Sequence, residues 1–111
     1  MRAYDEPLLD KPSIIPEDGT CAICGRMAEN RHHIIPKGMG GRSKAIEKRI
    51  PLIAVCGFGN NSGCHGKLHS GLLHLRWEDG WQVKETPEPT KRINALMDPE
   101  GWKPLRGWRD G

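Results

Sequence analysis

Residues 50–69 read IPLIAVCGFGNNSGCHGKLH, and three kinds of signal lie within them. Ile50–Cys56 is apolar and β-branched enough to form a buried strand. The run GFGNNSG that follows is a tight loop, in which Asn61 or Ser62 can cap a short helix starting near Gly63. That helix carries Cys64, His65 and His69 and should fray near Gly71. His65 and His69 are four residues apart, so on a helix they share one face and can chelate one metal ion.

The cysteines work outward from this stretch. The chain has four: Cys21, Cys24, Cys56 and Cys64. Cys21 and Cys24 form a C-x2-C pair, which turns two thiolates onto one ion. Cys56 and Cys64 are spaced more loosely, but a strand and a helix can bring the ends of their loop together. Four thiolates around a tetrahedral ion make a closed structural zinc site. Two unrelated pairs, or a disulfide, are the alternatives. Zinc binding would also supply folding energy to a chain short of core.

Upstream, Arg31–Pro36 reads RHHIIP, a short strand ending at the proline. Neighbouring side chains on a strand face opposite ways, so His32 and His33 cannot both do the same job. One can complete a three-ligand metal site with His65 and His69. The other then stays free to take a proton. His74, the fifth histidine, reads as an ordinary solvated or hydrogen-bonded side chain.

The totals bound what surrounds these residues. A chain of 111 residues with 14 glycines, 9 prolines and 36% hydrophobic residues has room for one thin core, and such chains often need a staple. The net charge of +3 is unevenly spread: Gly25–Arg76 holds nine Lys/Arg against Glu29 and Glu47. That basic middle suits a polyanion, nucleic acid above all. No apolar run approaches a membrane span, and MRAYDEPLLDKP lacks a signal-peptide core. The chain therefore reads as a soluble cytosolic protein, where paired cysteines are metal ligands rather than disulfides.

Residues 1–20 are Pro-rich and without period, an arm or poorly ordered lead-in. KGMGGRSKAIEKR (37–49) is a basic glycine-rich loop with a helical turn near its end. LHLRWEDGWQV (73–83) reads as a hairpin with Trp77 and Trp81 flanking the turn and Gly80 in the left-handed position. The tryptophans can stack on bases or pack across the strands. ETPEPT (85–90) is a linker-like break, Lys91–Met97 a short helix, and residues 98–111 carry no signal that places them.

Taken together, CAIC (21–24), RHHIIP (31–36) and AVCGFGNNSGCHGKLH (54–69) resemble the HNH endonuclease family, in its zinc-stapled phage and bacterial form, over about residues 21–77. The resemblance implies an α+β fold whose small ββα-metal core is stapled by a four-cysteine zinc site. The hairpin and a loop-rich tail would follow. The organisation is then an arm (1–20), a nuclease domain with zinc knuckles and hairpin (21–84) and a C-terminal extension (85–111).

Residue by residue, the resemblance implies that His32, His65 and His69 hold the catalytic metal. His33 is the general base that activates water, and Cys21, Cys24, Cys56 and Cys64 hold structural Zn2+. Arg49, Ile50 and Pro51 stand where the family often has its central asparagine. Asn60 or Asn61, in the loop after Cys56, is left to orient the site, and Asn61 joins His33 in the expected catalytic set.

The expected activity is metal-dependent hydrolysis of DNA phosphodiester bonds, by nicking and with low sequence specificity. It would leave 5′-phosphate and 3′-hydroxyl ends. Three imidazoles favour Mn2+, Ni2+ or Co2+ at least as much as Mg2+. Lys37, Arg42, Lys44, Lys48, Arg49 and Lys67 are the expected phosphate contacts. A packaging protein or a second copy of the chain are further expected partners. No membrane is expected, and the setting is a bacterial cytoplasm, with a phage gene as one source. The rival reading is a zinc-stabilised DNA-binding or packaging-associated module without catalysis.

Overall fold

Ile53 and Val55 are completely buried, and the strand that carries them organises one half of the molecule. In the computed structural model, which describes residues 3–35, 44–59 and 61–108, β1 (Asn30–His33) pairs antiparallel with β2 (Leu52–Val55). Asn30 lies opposite Val55 and His33 opposite Leu52. The expected strand at 31–35 therefore ends earlier, and Ile34 and Ile35 turn into the core just beyond it. One helical turn, α1 (Lys44–Glu47), precedes β2, as the sequence suggests.

The helix α2 (Gly63–Ser70) follows the tight loop. Ser62 occupies its N-cap position in an extended conformation but makes no side-chain cap. Cys56 does that work instead. Its carbonyl accepts the His65 N–H at 3.0 Å, and its Sγ accepts the Cys64 N–H at 3.3 Å. At the other end Gly71 adopts φ 85°, where glycine carries no Cβ penalty, and its N–H returns to the Lys67 carbonyl.

A second antiparallel sheet has the order β3 (Leu73–Trp77), β4 (Trp81–Glu85), β5 (Lys103–Pro104). The hairpin forms where expected, around the three-residue loop Glu78–Gly80. Gly80 takes a positive φ of 139°, as the sequence suggests, and Asp79 joins it at φ 55°. Trp77 and Trp81 oppose each other and pack edge to face, ring centroids 5.5 Å apart. The last helix, α3 (Arg92–Met97), begins one residue after Lys91. Among the described residues the protein is thus α+β, with two small antiparallel sheets and three α-helices. Its radius of gyration of 13.2 Å is that of a compact chain of this length, about 13 Å.

Two segments depart from their sequence reading. The N-terminal residues, expected as a loose arm, enter the core. Ile14 is 1% exposed and exchanges backbone hydrogen bonds with β2, and Leu8 is buried. The Trp81 indole donates to the Pro12 carbonyl at 2.8 Å, and the buried Asp5 carboxylate pairs with Arg92 at 2.7 Å. Burying Leu8 and Ile14 stabilises the fold by about 1.5–3 kcal/mol each. The break at 85–90 is likewise fastened. Thr86 N–H donates to Leu72 and Thr90 N–H to Gly71, and the Thr86 hydroxyl bonds the Glu88 carbonyl.

Candidate functional site: two clusters of metal-ligand side chains

The turn Cys21–Gly25, closed by the Gly25 N–H on the Cys21 carbonyl, presents two thiols to the end of β2 and the first turn of α2. All four cysteine Sγ atoms lie within 4.8 Å of one another. The Cys24–Cys56 pair is at 3.6 Å, too far for a disulfide of about 2.05 Å. It is close to the edge, about 3.8 Å, of a tetrahedron built on Zn–S bonds of about 2.3 Å. Three of the four are buried.

Their electrostatics point the same way. Burial pushes the Cys64 thiol up, and the adjacent cysteines push it further. Burial also opposes ionisation of Cys21, but backbone N–H groups around its sulfur outweigh it and bring the thiol down to about 7. Four thiolates cannot share so small a space without a cation. The donor set fits zinc, and these four residues could hold it.

The second cluster is made of imidazoles. His65 and His69 lie one turn apart on α2, with Nε2 atoms 3.1 Å from each other. The ring of His32 reaches them from β1, its centroid 5.3 Å from His65 and 4.9 Å from His69, edge-on to both. One donor atom from each of the three falls within 4.8 Å of the others. Nitrogens sharing an ion at about 2.1 Å stand about 3.0–3.4 Å apart, so the His65–His69 spacing fits a shared divalent cation. Burial, then the neighbouring histidines, lowers the pKa of His32 to about 4. Its ring is therefore neutral at pH 7, as a ligand must be. Of His65, Nδ1 is buried without a partner among the described residues.

Gly66 sits on α2 between His65 and His69. A Cβ there would stand 2.7 Å from the Asn61 carbonyl carbon. Its absence lets the Cys56–Cys64 loop lie against the helix that bears both histidines.

These imidazoles open into a cleft of about 800 Å³. His33 lines it beside His32 but is outside the three-histidine cluster. Asn61 is exposed in the cysteine loop and does not line the cleft. Lys44 and Lys48 are exposed on and just after α1. Arg49 is engaged with Asp10 and Lys67 with Glu85, both in exposed ion pairs. Lys37, Arg42 and Asn60 lie outside the described residues.

Sequence reasoning gave no site role to the three cationic cleft residues Arg31, Lys91 and Arg92. The signals for Arg31 were its place next to His32 and its share in the basic stretch 25–76. For Lys91 there was none, because it reaches the cleft through tertiary packing of the 85–90 segment. His74 also reaches the cleft, buried, with Nε2 donating to the Gly71 carbonyl at 2.7 Å.

Both clusters together define a protein with the side chains for one structural and one more open metal centre. No helix among the described residues is long and apolar enough to cross a membrane. Compared with known proteins, the chain matches no family model, no curated protein and no solved structure.

Proposed function

We propose that this protein is a metal-dependent DNA endonuclease of the HNH type, with β1, β2 and α2 as its ββα-metal core. The observation that carries the reading is the meeting of His32, from a strand, with His65 and His69, from a helix anchored through Cys64. His33, the next residue on the same strand, lines the same cleft.

In this reading His32, His65 and His69 hold a divalent ion. When bound, the ion supplies Lewis-acid stabilisation of charge on the scissile phosphate and leaving oxygen. His33 takes the proton of the attacking water. The four cysteines fix the first turn of α2, and hence the positions of His65 and His69, through a structural zinc. Lys44 and Lys48 offer charge to the DNA backbone without reading bases.

The test is relaxation of supercoiled plasmid with Mn2+, Ni2+, Co2+ or Mg2+, with metals counted on the same samples. Wild type should nick and bind two ions per chain. His33→Ala should lose about 10²–10⁴-fold in rate while keeping its fold and DNA binding. One tightly held ion and no cleavage would favour the non-catalytic zinc module. Cleavage that survives in His33→Ala would overturn the base assignment.

A further inference from the structure

All five histidines of the chain line a single cleft, and among the described residues no Asp or Glu lines it with them. Three cationic side chains do: Arg31, Lys91 and Arg92. Arg92 is already committed. It pairs with buried Asp5 and donates to the Leu75 carbonyl. Arg31, exposed on β1, and Lys91, exposed just before α3, make no ion pair with a described residue.

Lys91 is also held in place. The preceding segment is pinned to the end of α2 by the Thr90 N–H on Gly71 and by Thr86 on Leu72. The following helix is tied to the N-terminal turn by Arg92 and Asp5. A lysine whose backbone is fixed on both sides, in a cleft without carboxylates among the described residues, is presented to an anion.

We propose that Lys91 and Arg31 are substrate-binding residues that grip backbone phosphates of a nucleic-acid strand laid across the histidine cleft. The ligand is a polynucleotide strand, and through Lys91 the C-terminal extension belongs to the binding surface. This rests on the endonuclease reading for the chemistry in the cleft, but the two grips themselves concern binding.

The experiment measures binding of a fluorescent duplex oligonucleotide by anisotropy across a KCl series, in the His33→Ala background, with plasmid cleavage by the corresponding catalytically intact chains. Lys91→Gln and Arg31→Gln should each lower the slope of log K against log salt by about 0.9 and weaken binding about five- to tenfold at about 0.1 M salt. Each should raise KM with kcat within about twofold. Lys91→Arg should restore the slope. Lys103→Gln, on exposed β5 outside the cleft, is the control and should change nothing. Thermal melts confirm that the variants fold.

Unchanged slopes in both Gln variants, with wild type still cleaving, would overturn this proposal and leave the endonuclease reading standing. Lowered slopes in a wild type that never cleaves would uphold the phosphate grips and overturn the endonuclease reading. No DNA binding at all would overturn both.

Discussion

His65 and His69 stand with their Nε2 atoms 3.1 Å apart on successive turns of α2, and His32 closes the triangle from β1. The pair comes from local helix geometry, whereas the third corner depends on how β1 is set against α2.

That division predicts what replacement of each ligand should do. His69→Ala should remove one bound divalent ion per chain and leave the cysteine-bound zinc in place, because the two clusters share no ligand. His69 is exposed, so the melting temperature should move by only a few degrees. Metal counting and calorimetry check it; loss of both ions together would mean that the clusters are not independent.

Cys21 lies completely buried among the thiols, and removal of the metal should leave a cluster of desolvated sulfurs. A strong chelator is therefore expected to abolish the cooperative melt, and Cys21→Ser to do the same without chelator. Readdition of Zn2+ should restore the wild type. A chelated protein that still melts cooperatively near its original temperature would show that zinc is not a fold element.

Gly66→Ala sets two effects against each other. Alanine gains about 1 kcal/mol in helix propensity. The new methyl, however, would meet the Asn61 backbone at 2.7 Å, and such overpacking costs about 1–3 kcal/mol. We expect net destabilisation, read as a lower urea midpoint. A higher midpoint would mean that the loop yields freely.

Stability should fall on the acid side. Burial lowers the pKa of His74 despite its bond to Gly71, and burial likewise lowers those of His32 and His69. Each ring binds its proton more readily in the unfolded chain, where the ordinary value is about 6.5. The stabilisation is thus fully present above about 6.5 and is lost as pH falls toward about 4, the value for His32. Urea unfolding at about pH 7.5, 6 and 5 should show this decline, and His74→Gln should make it shallower by up to about 1.4 kcal/mol per pH unit. An identical slope in the variant would show that His74 titrates normally.

Asp5→Ala tests whether the N-terminal segment belongs to the fold. It leaves Arg92 partly buried without its carboxylate, at a cost of about 1–3 kcal/mol. Thermal melting reads it; no change would return the segment to the status of an arm.

Wherever the physics is local, the chain announces its structure in its sequence. The apolar Ile53–Val55 run and the tight loop that leads into the helix at Gly63 are signals within a few residues. So are the helix end near Gly71 and the tryptophans around Glu78–Gly80. All appear as elements, because backbone preference and side-chain period act over that distance. The C-x2-C spacing and the four-residue step from His65 to His69 are local in the same way.

Tertiary structure decided what depends on contacts between distant residues. It set His32, not His33, against the helix histidines, because the β1–β2 register and the packing of α2 choose the face. It drew the polar, Pro-rich start of the chain into the core through Ile14 and Asp5, whose partners lie about 40 and about 90 residues away. It made Lys103–Pro104 a strand and carried Lys91 into the cleft. None of these has a period or motif, since each is stabilised by burial and pairing that exist only once the rest of the chain has closed around it.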